Sequence, residues 1–340
     1  MDARHATRAS AALCPKQKGP QRRKCRRAAR RLVSQGAIPG PSSNQTIEDQ
    51  FETVVALAAA DITAGWTAPL TIATVCLANS DLWVSLCREA RANHDAYARR
   101  HRYGLRFHSQ SLSVGREPSW WKLPILASVL RVPAVRFAFW MDSDSLFMRQ
   151  ATPLDAVLPP SGKSSAWPAD ALVSVSAGHS MMRASASAEA LLRAAWALWP
   201  PPHPRIWWEQ SALVYLLGGE QSACRVDVLC NKCSAMFSGQ PQSACAGHNC
   251  SRRLGGRWSE SAHVFPAGYM VQDLKAFAAN GQSGLVLHFA GEGSQKAQFM
   301  SEFARLAEQP AWRERSRFVP ADPSSVTRPD YGATNCGTPL

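Results

Sequence analysis

Between residues 70 and 141 the apolar positions alternate between short continuous runs and helical stripes. Residues 71–78 form a run rich in β-branched side chains, short enough for a buried strand. Asn79-Ser-Asp81 offers capping side chains to a helix carrying Leu82, Trp83, Leu86, Ala90 and Tyr97. That helix is predicted to end near His101, with Gly104 as its stop. Residues 105–108 read as a second strand, 120–130 as a second helix, and 136–141 as a third strand running into Asp142-Ser-Asp144. Downstream, 171–182 reads as a strand and 186–199 and 208–217 as helices. Residues 285–289 read as a strand turning at Gly291 and Gly293, and 294–308 as an amphipathic helix. Strands alternating with helices predict an α/β fold with a mostly parallel sheet. Such sheets take ligands at the carboxyl ends of their strands, where Asp142 and Asp144 stand.

The flanks break this pattern. Residues 1–35 hold eleven Lys or Arg against Asp2 alone, which leaves this stretch at +10 and the rest of the chain at +3 out of +13. The folded part is therefore only mildly basic. No aromatic residue interrupts the basic run, which argues against base stacking, and nucleic acid is not an expected partner. Residues 1–50 read as a disordered basic arm and 319–340, rich in Pro, Ser and Thr, as a disordered tail. With 46% hydrophobic and 19% charged residues, the middle has ample material for a core. Residues 54–78 are the best candidate membrane span, but Asp61, Gly65 and Pro69 weaken them. Of ten cysteines, Cys76 and Cys87 lie in apolar settings. Cys224, Cys230, Cys233, Cys245 and Cys250 cluster in a loop-like stretch at 218–258. Their spacing contains a single C-x2-C pair, so disulfides in an oxidising lumen are expected there rather than zinc. Sequons at Asn44 and Asn249 are compatible with that compartment.

The chemistry centres on Asp142-Ser-Asp144. Residues i and i+2 of an extended segment face one side, so both carboxylates can address one hard divalent cation, Mg²⁺ or Mn²⁺. His288, in a strand otherwise made of Leu, Val and Phe, is a third ligand if it converges with them; alone it reads as a core histidine. Lys296 can meet the phosphates of a metal-bound diphosphate. Lys122, after Trp120-Trp121, is a candidate partner for a phosphate or a carboxylate. Glu209 and Gln210 open a helix, where they serve either its dipole or the hydroxyls of a sugar.

Five motifs in order carry a resemblance. They are Asn93-His-Asp-Ala-Tyr-Ala-Arg-Arg-His-Arg-Tyr103, Ser119-Trp-Trp-Lys-Leu-Pro124, Phe139-Trp-Met-Asp-Ser-Asp-Ser-Leu-Phe147, Glu209-Gln-Ser-Ala-Leu-Val-Tyr-Leu-Leu217 and Leu287-His-Phe-Ala-Gly291. Over roughly residues 70–300 the chain resembles glycosyltransferase family 34. That family holds galactosyl- and mannosyltransferases and the xyloglucan xylosyltransferases, and the strings at 142–147 and 210–217 look most like the xylosyltransferase branch. The resemblance implies a GT-A (Rossmann-like) fold with one catalytic domain at 65–318. It implies a retaining hexosyl- or pentosyltransferase of polysaccharide biosynthesis, using UDP-xylose, UDP-galactose or GDP-mannose, a glycan acceptor, and Mn²⁺ or Mg²⁺. Carried over by position, Asp142, Asp144 and His288 hold the metal. Lys296 matches the lysine at the donor phosphates, and Glu209 and Gln210 sit at the reacting sugar; Lys122 joins Lys296 as a candidate donor-binding residue on its own sequence context. The resemblance also implies a Golgi membrane or lumenal location. Two positions depart from the family pattern. Trp208 replaces a first acid, and Ser176-Ala-Gly178 replaces Asn-Ser/Thr-Gly.

Two other classes share single features. A haloacid-dehalogenase-like phosphatase also places Asp-x-Asp after an apolar strand, but it expects Thr or Val where this chain has Leu146, and a later acidic strand end that is missing. A non-enzymatic zinc or nucleic-acid module would rest on the Cys cluster and the basic arm alone.

Overall fold

A computed structural model describes residues 46–60, 62, 66–112, 116–168, 175–199, 208–229, 254–265, 270–271, 284–289 and 295–309. The basic arm to residue 45, the two sequons, the sulfurs of the Cys cluster, the turn at Gly291 and Gly293, and the 319–340 tail lie outside these residues.

The first described element is a helix, α1 (Ile47–Ala59), which begins inside the stretch that composition assigned to the arm. Thr46 caps it. Its hydroxyl accepts from the Asp49 amide, and the Asp49 carboxylate accepts in return from the Thr46 amide. Phe51, Val54, Val55 and Ala58 face the core. The candidate span at 54–78 therefore divides between the end of α1 and a buried strand, β1 (Leu70–Val75). Among the described residues no helix is long and apolar enough to cross a membrane.

From β1 the chain enters α2 (Asp81–His101), and Ser80 accepts from the Trp83 amide at its start. The helix stops differently from the sequence expectation. Arg102 takes the left-handed cap (φ 58°). Gly104 instead opens β2 (Gly104–His108), where a Cβ would lie 2.6 Å from the Trp66 indole. A second finding concerns Cys76 and Cys87, read as apolar, which are joined in a disulfide across the β1–α2 turn. A separation of 11 residues carries no pairing signal of its own. The Asn79-Ser-Asp81 turn reverses the chain and brings the two together.

The second predicted helix opens as a 3-10 turn, Pro118–Trp121, before α3 (Lys122–Leu130), whose nine residues are all buried. Then come β3 (Phe137–Met141), β4 (Ser145–Phe147), β5 (Ser165–Pro168) and β6 (His179–Arg183). The strand expected at 171–182 is confined to β6. Residues 175–178 precede it as non-strand backbone, and 169–174 lie outside the described residues. After α4 (Ala186–Ala197) comes α5 (Trp208–Leu229), interrupted at Gly219 (φ 72°). The amides of Gly255 and Gly256 cap the Leu217 carbonyl there, an approach so close that a Cβ on Gly256 would lie 2.2 Å from the Leu216 oxygen. The remaining elements are β7 (Ala262–Phe265), β8 (Met270–Val271), β9 (Val286–His288) and α6 (Lys296–Glu308).

The main sheet has the order β2-β1-β3-β6-β5-β7. β1 pairs parallel with β2 and β3, β6 runs antiparallel between β3 and β5, and β5 pairs parallel with β7. A smaller sheet, β4-β9-β8, lies beside it. This is a mixed α/β architecture with a parallel-rich main sheet, the class expected from the sequence. α1, α3 and α4 share one apolar cluster with Trp120, Trp140 and Trp196. On the surface Arg131 and Arg193 tie Glu48, Glu52 and Glu189 together across these three helices. Exposed pairs of this kind contribute little singly, and the network orients α1 more than it stabilises the fold.

Buried histidines give the fold an acid limit. His94, on α2 and fully buried, is pushed down to about 4 by burial, against the Ser145 carbonyl contact. Unfolded, the same group titrates near 6.5. Between these values the unfolded chain binds a proton that the folded chain refuses. The stability is therefore complete above about pH 6.5 and is lost toward pH 4, by about 3 kcal/mol at most for this group. His179 acts in the same direction. The expected result is a melting temperature that falls with acidification below pH 6.5, with a shallower slope in His94→Gln. An unchanged slope in that variant would assign the acid sensitivity elsewhere.

Candidate active site

Asp142 and Asp144 occupy the link between the two sheets. β3 ends at Met141, residues 142–144 turn, and β4 begins at Ser145 in the small sheet. The carboxylates therefore converge through a turn and not through the pleat of an extended segment, as their spacing alone had suggested. The turn is pinned at both ends. The Asp142 amide donates to the Gly178 carbonyl (2.9 Å), and the Phe289 amide donates to the Asp144 carbonyl (2.9 Å).

His288 arrives by strand register. β9 runs antiparallel to β4 with Ser145 opposite His288, which sets the imidazole beside Asp144. Its Nε2 lies 3.2 Å from Asp144 Oδ1 and 3.9 Å from Asp142 Oδ2. One ligand atom from each of Asp142, Asp144 and His288 lies within 4.8 Å of the others. The core reading of His288 and its ligand reading thus merge, since the ring is buried and still faces both carboxylates. Lys296, the first residue of α6, donates to Asp144 Oδ2 at 2.6 Å. Burial alone would raise the Asp144 carboxyl, but His288 and Lys296 outweigh it and hold it well below the usual range. The same exchange raises His288: burial opposes its charge, and Asp144 more than compensates.

Behind this group lies a second one that is almost dry. The Lys122 ammonium, 4% exposed, pairs with Glu209 Oε1 (2.6 Å) and Asp142 Oδ1 (3.2 Å), and donates to the Ala177 carbonyl (2.9 Å). It also lies 5.4 Å from the centre of the Trp140 ring, and the Trp140 indole donates to Asp142 Oδ1 (2.6 Å). Burial works against the Lys122 charge, but the two carboxylates overcome it and keep the amine protonated. Burial pushes the Glu209 carboxyl up, against the pull of Lys122. One Glu209 oxygen, Oε2, is buried without a hydrogen-bond partner among the described residues. Gln210 accepts from the Ala177 amide (2.9 Å), which fixes its side-chain amide. The seven residues singled out from the sequence thus fall into one contiguous neighbourhood, linked through Asp142, Asp144 and the 177–178 backbone.

Two further residues shape the site and were not singled out as site residues from the sequence. His179 sets its ring edge-on to His288 (centroids 5.1 Å apart), and its Nε2 bonds the Ser145 hydroxyl (3.0 Å). Gly178 is required by space, because a Cβ there would lie 2.7 Å from His288 Cε1 and 3.4 Å from Asp142 Oδ2. The Ser176-Ala-Gly178 stretch had been noted as a departure from a motif, but a Gly before a strand has too many other uses to be diagnostic, and nothing marked His179. The donor set of two carboxylate oxygens and an imidazole nitrogen suits Mn²⁺ or Mg²⁺. The missing side chain at Gly178 leaves room for the imidazole to pack beside the two carboxylates, and the residues present fit such an ion.

Comparison with known proteins agrees in class. The match is to a family of sugar-transferring enzymes, and it covers part of the chain. Residues 78–166 match the model of the galactosyl transferase GMA12/MNN10 family, the family that the sequence motifs resemble. The matched segment runs from the β1–α2 turn into β5 and contains Lys122, Asp142 and Asp144, whereas Glu209, Gln210, His288 and Lys296 lie beyond it. Among solved structures the chain is similar to a glycosyltransferase involved in the glycosylation of the major capsid of PBCV-1. The identity is 14% and the TM-score 0.47, over 68% of this chain and 98% of that one. No curated protein matches.

Proposed function

We propose that this chain is a retaining, metal-dependent glycosyltransferase that moves a sugar from a nucleotide-sugar donor to a glycan hydroxyl. The observation that carries the reading is the convergence of Asp142, Asp144 and His288 at the end of β3, next to a lysine on α6. In this reading those three residues hold Mn²⁺ or Mg²⁺. A divalent ion supplies charge neutralisation to the departing diphosphate. Lys296 adds a second positive charge on the same side, aimed at the donor phosphates. The unpartnered Glu209 Oε2 accepts from a sugar hydroxyl, and Gln210 is held in place to bind the sugar or acceptor. Glu209 is a poor covalent nucleophile, since Lys122 engages one oxygen and burial disfavours its charge. We therefore favour attack by the acceptor on the face the leaving group departs from, with a donor phosphate oxygen taking the proton. Lys122 serves this site as an internal counter-ion more than as a phosphate contact.

The donor is UDP-xylose, UDP-galactose or GDP-mannose in this reading, and the acceptor is an oligosaccharide or polysaccharide. A Golgi lumenal setting, with membrane association, agrees with the family's habit. The Cys76–Cys87 disulfide suits that oxidising compartment. The test is donor hydrolysis with the three nucleotide sugars in the presence of Mn²⁺ and after chelation. One donor hydrolysed only with metal is expected. Hydrolysis of none of them, or hydrolysis unaffected by chelation, would sink the reading.

A further inference from the structure

The motif Asn93-His-Asp-Ala-Tyr-Ala-Arg-Arg-His101 has no part in the site described above, yet four of its side chains do one job. Asn93, His94, Tyr97 and His101 follow the helical period and lie along one face of α2. All four bond to the backbone of residues 145–152. Asn93 behaves as a strand of one residue: its Nδ2 donates to the Phe147 carbonyl (3.1 Å), and its Oδ1 accepts from the Phe147 amide (2.7 Å). It thereby pairs the edge of β4, whose other edge pairs with β9. His94 Nε2 lies 2.9 Å from the Ser145 carbonyl. A carbonyl only accepts, so that nitrogen carries the proton. The Tyr97 hydroxyl donates to the Thr152 carbonyl, and its ring stacks on Phe147 (3.7 Å between centroids, 3° between planes). His101 Nε2 lies 2.9 Å from the Gln150 carbonyl.

The consequence runs directly to the candidate metal ligands. Ser145 follows Asp144 in the chain and stands opposite His288 in the β4–β9 register. Whatever fixes the Ser145 backbone therefore sets Asp144 and His288 relative to each other. His94 holds the Ser145 carbonyl from one side, and His179 holds its hydroxyl from another. A short three-residue strand with only a small sheet beside it has little rigidity of its own. The α2 face supplies it.

We infer that Asn93 and His94, supported by Tyr97 and His101, are positioning residues that fix the geometry of the Asp142, Asp144 and His288 ligand set. The inference rests on the metal reading above. It assigns the motif a role in metal affinity, over and above its role in packing. Groups that orient ligands commonly change metal affinity by about 10–100-fold when removed.

The test is calorimetric Mn²⁺ titration of the full chain, with the melting temperature measured in parallel. His94→Ala and Asn93→Ala are expected to weaken Mn²⁺ binding about tenfold or more. His94→Gln, whose amide N–H can still reach the Ser145 carbonyl, is expected to restore much of the loss. Val54→Ala on α1 is the control for stability alone, since it opens a cavity far from residues 145–152 and should leave the Mn²⁺ midpoint in place. If His94→Ala fails to fold, Tyr97→Phe takes its place: it keeps the stacked ring, deletes one hydroxyl, and should still weaken binding measurably. A wild-type Mn²⁺ midpoint in these α2 variants, with a melting loss like that of Val54→Ala, would overturn the inference alone. Absence of Mn²⁺ binding by the unmodified chain would overturn the metal reading and this inference with it.

Discussion

Replacing Asp142 or Asp144 by alanine is expected to abolish metal-dependent nucleotide binding and to lower donor turnover on the order of a thousandfold, several kcal/mol of transition-state charge stabilisation. Either change leaves one carboxylate and one imidazole, too few protein ligands to order a divalent ion against its hydration shell. The two variants should differ in their side effects. Asp144 is the partner of both His288 and Lys296, so Asp144→Ala leaves two cationic groups side by side. Asp142→Ala removes one of the two counter-charges of Lys122 and the acceptor of the Trp140 indole. The melting temperature of Asp142→Ala should therefore fall more than that of Asp144→Ala, where Lys296 retains access to water. Metal-dependent nucleotide binding that survives in the double variant would move the site elsewhere.

Lys122→Met is the second large effect. The substitution keeps the volume and removes the only cation paired with Glu209 among the described residues. Breaking a buried pair from one side costs about 3–5 kcal/mol, because the remaining charge stays desolvated. A melting loss of roughly 10 °C follows for a domain of this size. Glu209→Gln in the same background removes the stranded charge and should recover much of that loss. A phosphate-contacting lysine predicts another outcome: weaker donor binding, little change in melting temperature, and no rescue by Glu209→Gln. Differential scanning fluorimetry on the four-member cycle separates the two.

The strands β1 and β3 were legible because both are continuous apolar runs, the mark of strands covered on two faces. The Asp142 and Asp144 pair was legible because an uninterrupted apolar strand feeds into it. β4 was not, since three residues after a turn carry no periodicity. β5 was hidden by its polar neighbours, with Pro168 at the end of the strand. The disulfide was missed because its formation depends on the β1–α2 turn geometry. Lys122 was singled out as a candidate carboxylate or phosphate partner, and it pairs with two carboxylates, but its depth was invisible. Burial is decided by α5, which brings Glu209 from 87 residues further along the chain. The role of Asn93 and His94 was equally out of reach. Their partners are backbone groups 51–54 residues away, and backbone groups leave no signature in a sequence.

The pairing of β4 with β9 has a consequence for the order in which the protein is made. Asp144 and His288 are 144 residues apart. At common rates of synthesis His288 leaves the ribosome roughly 10–30 s after Asp144. For that interval the nascent chain holds β1, α2 and β3 with two aspartates at their end, and β4 has no strand on its outer side. Closing so long a loop is the slow kind of step in folding. The cluster of Asp142, Asp144 and His288 is therefore completed only by β9, the last strand to emerge among the described residues, so a chain released before residue 286 would keep the aspartates and lack their histidine.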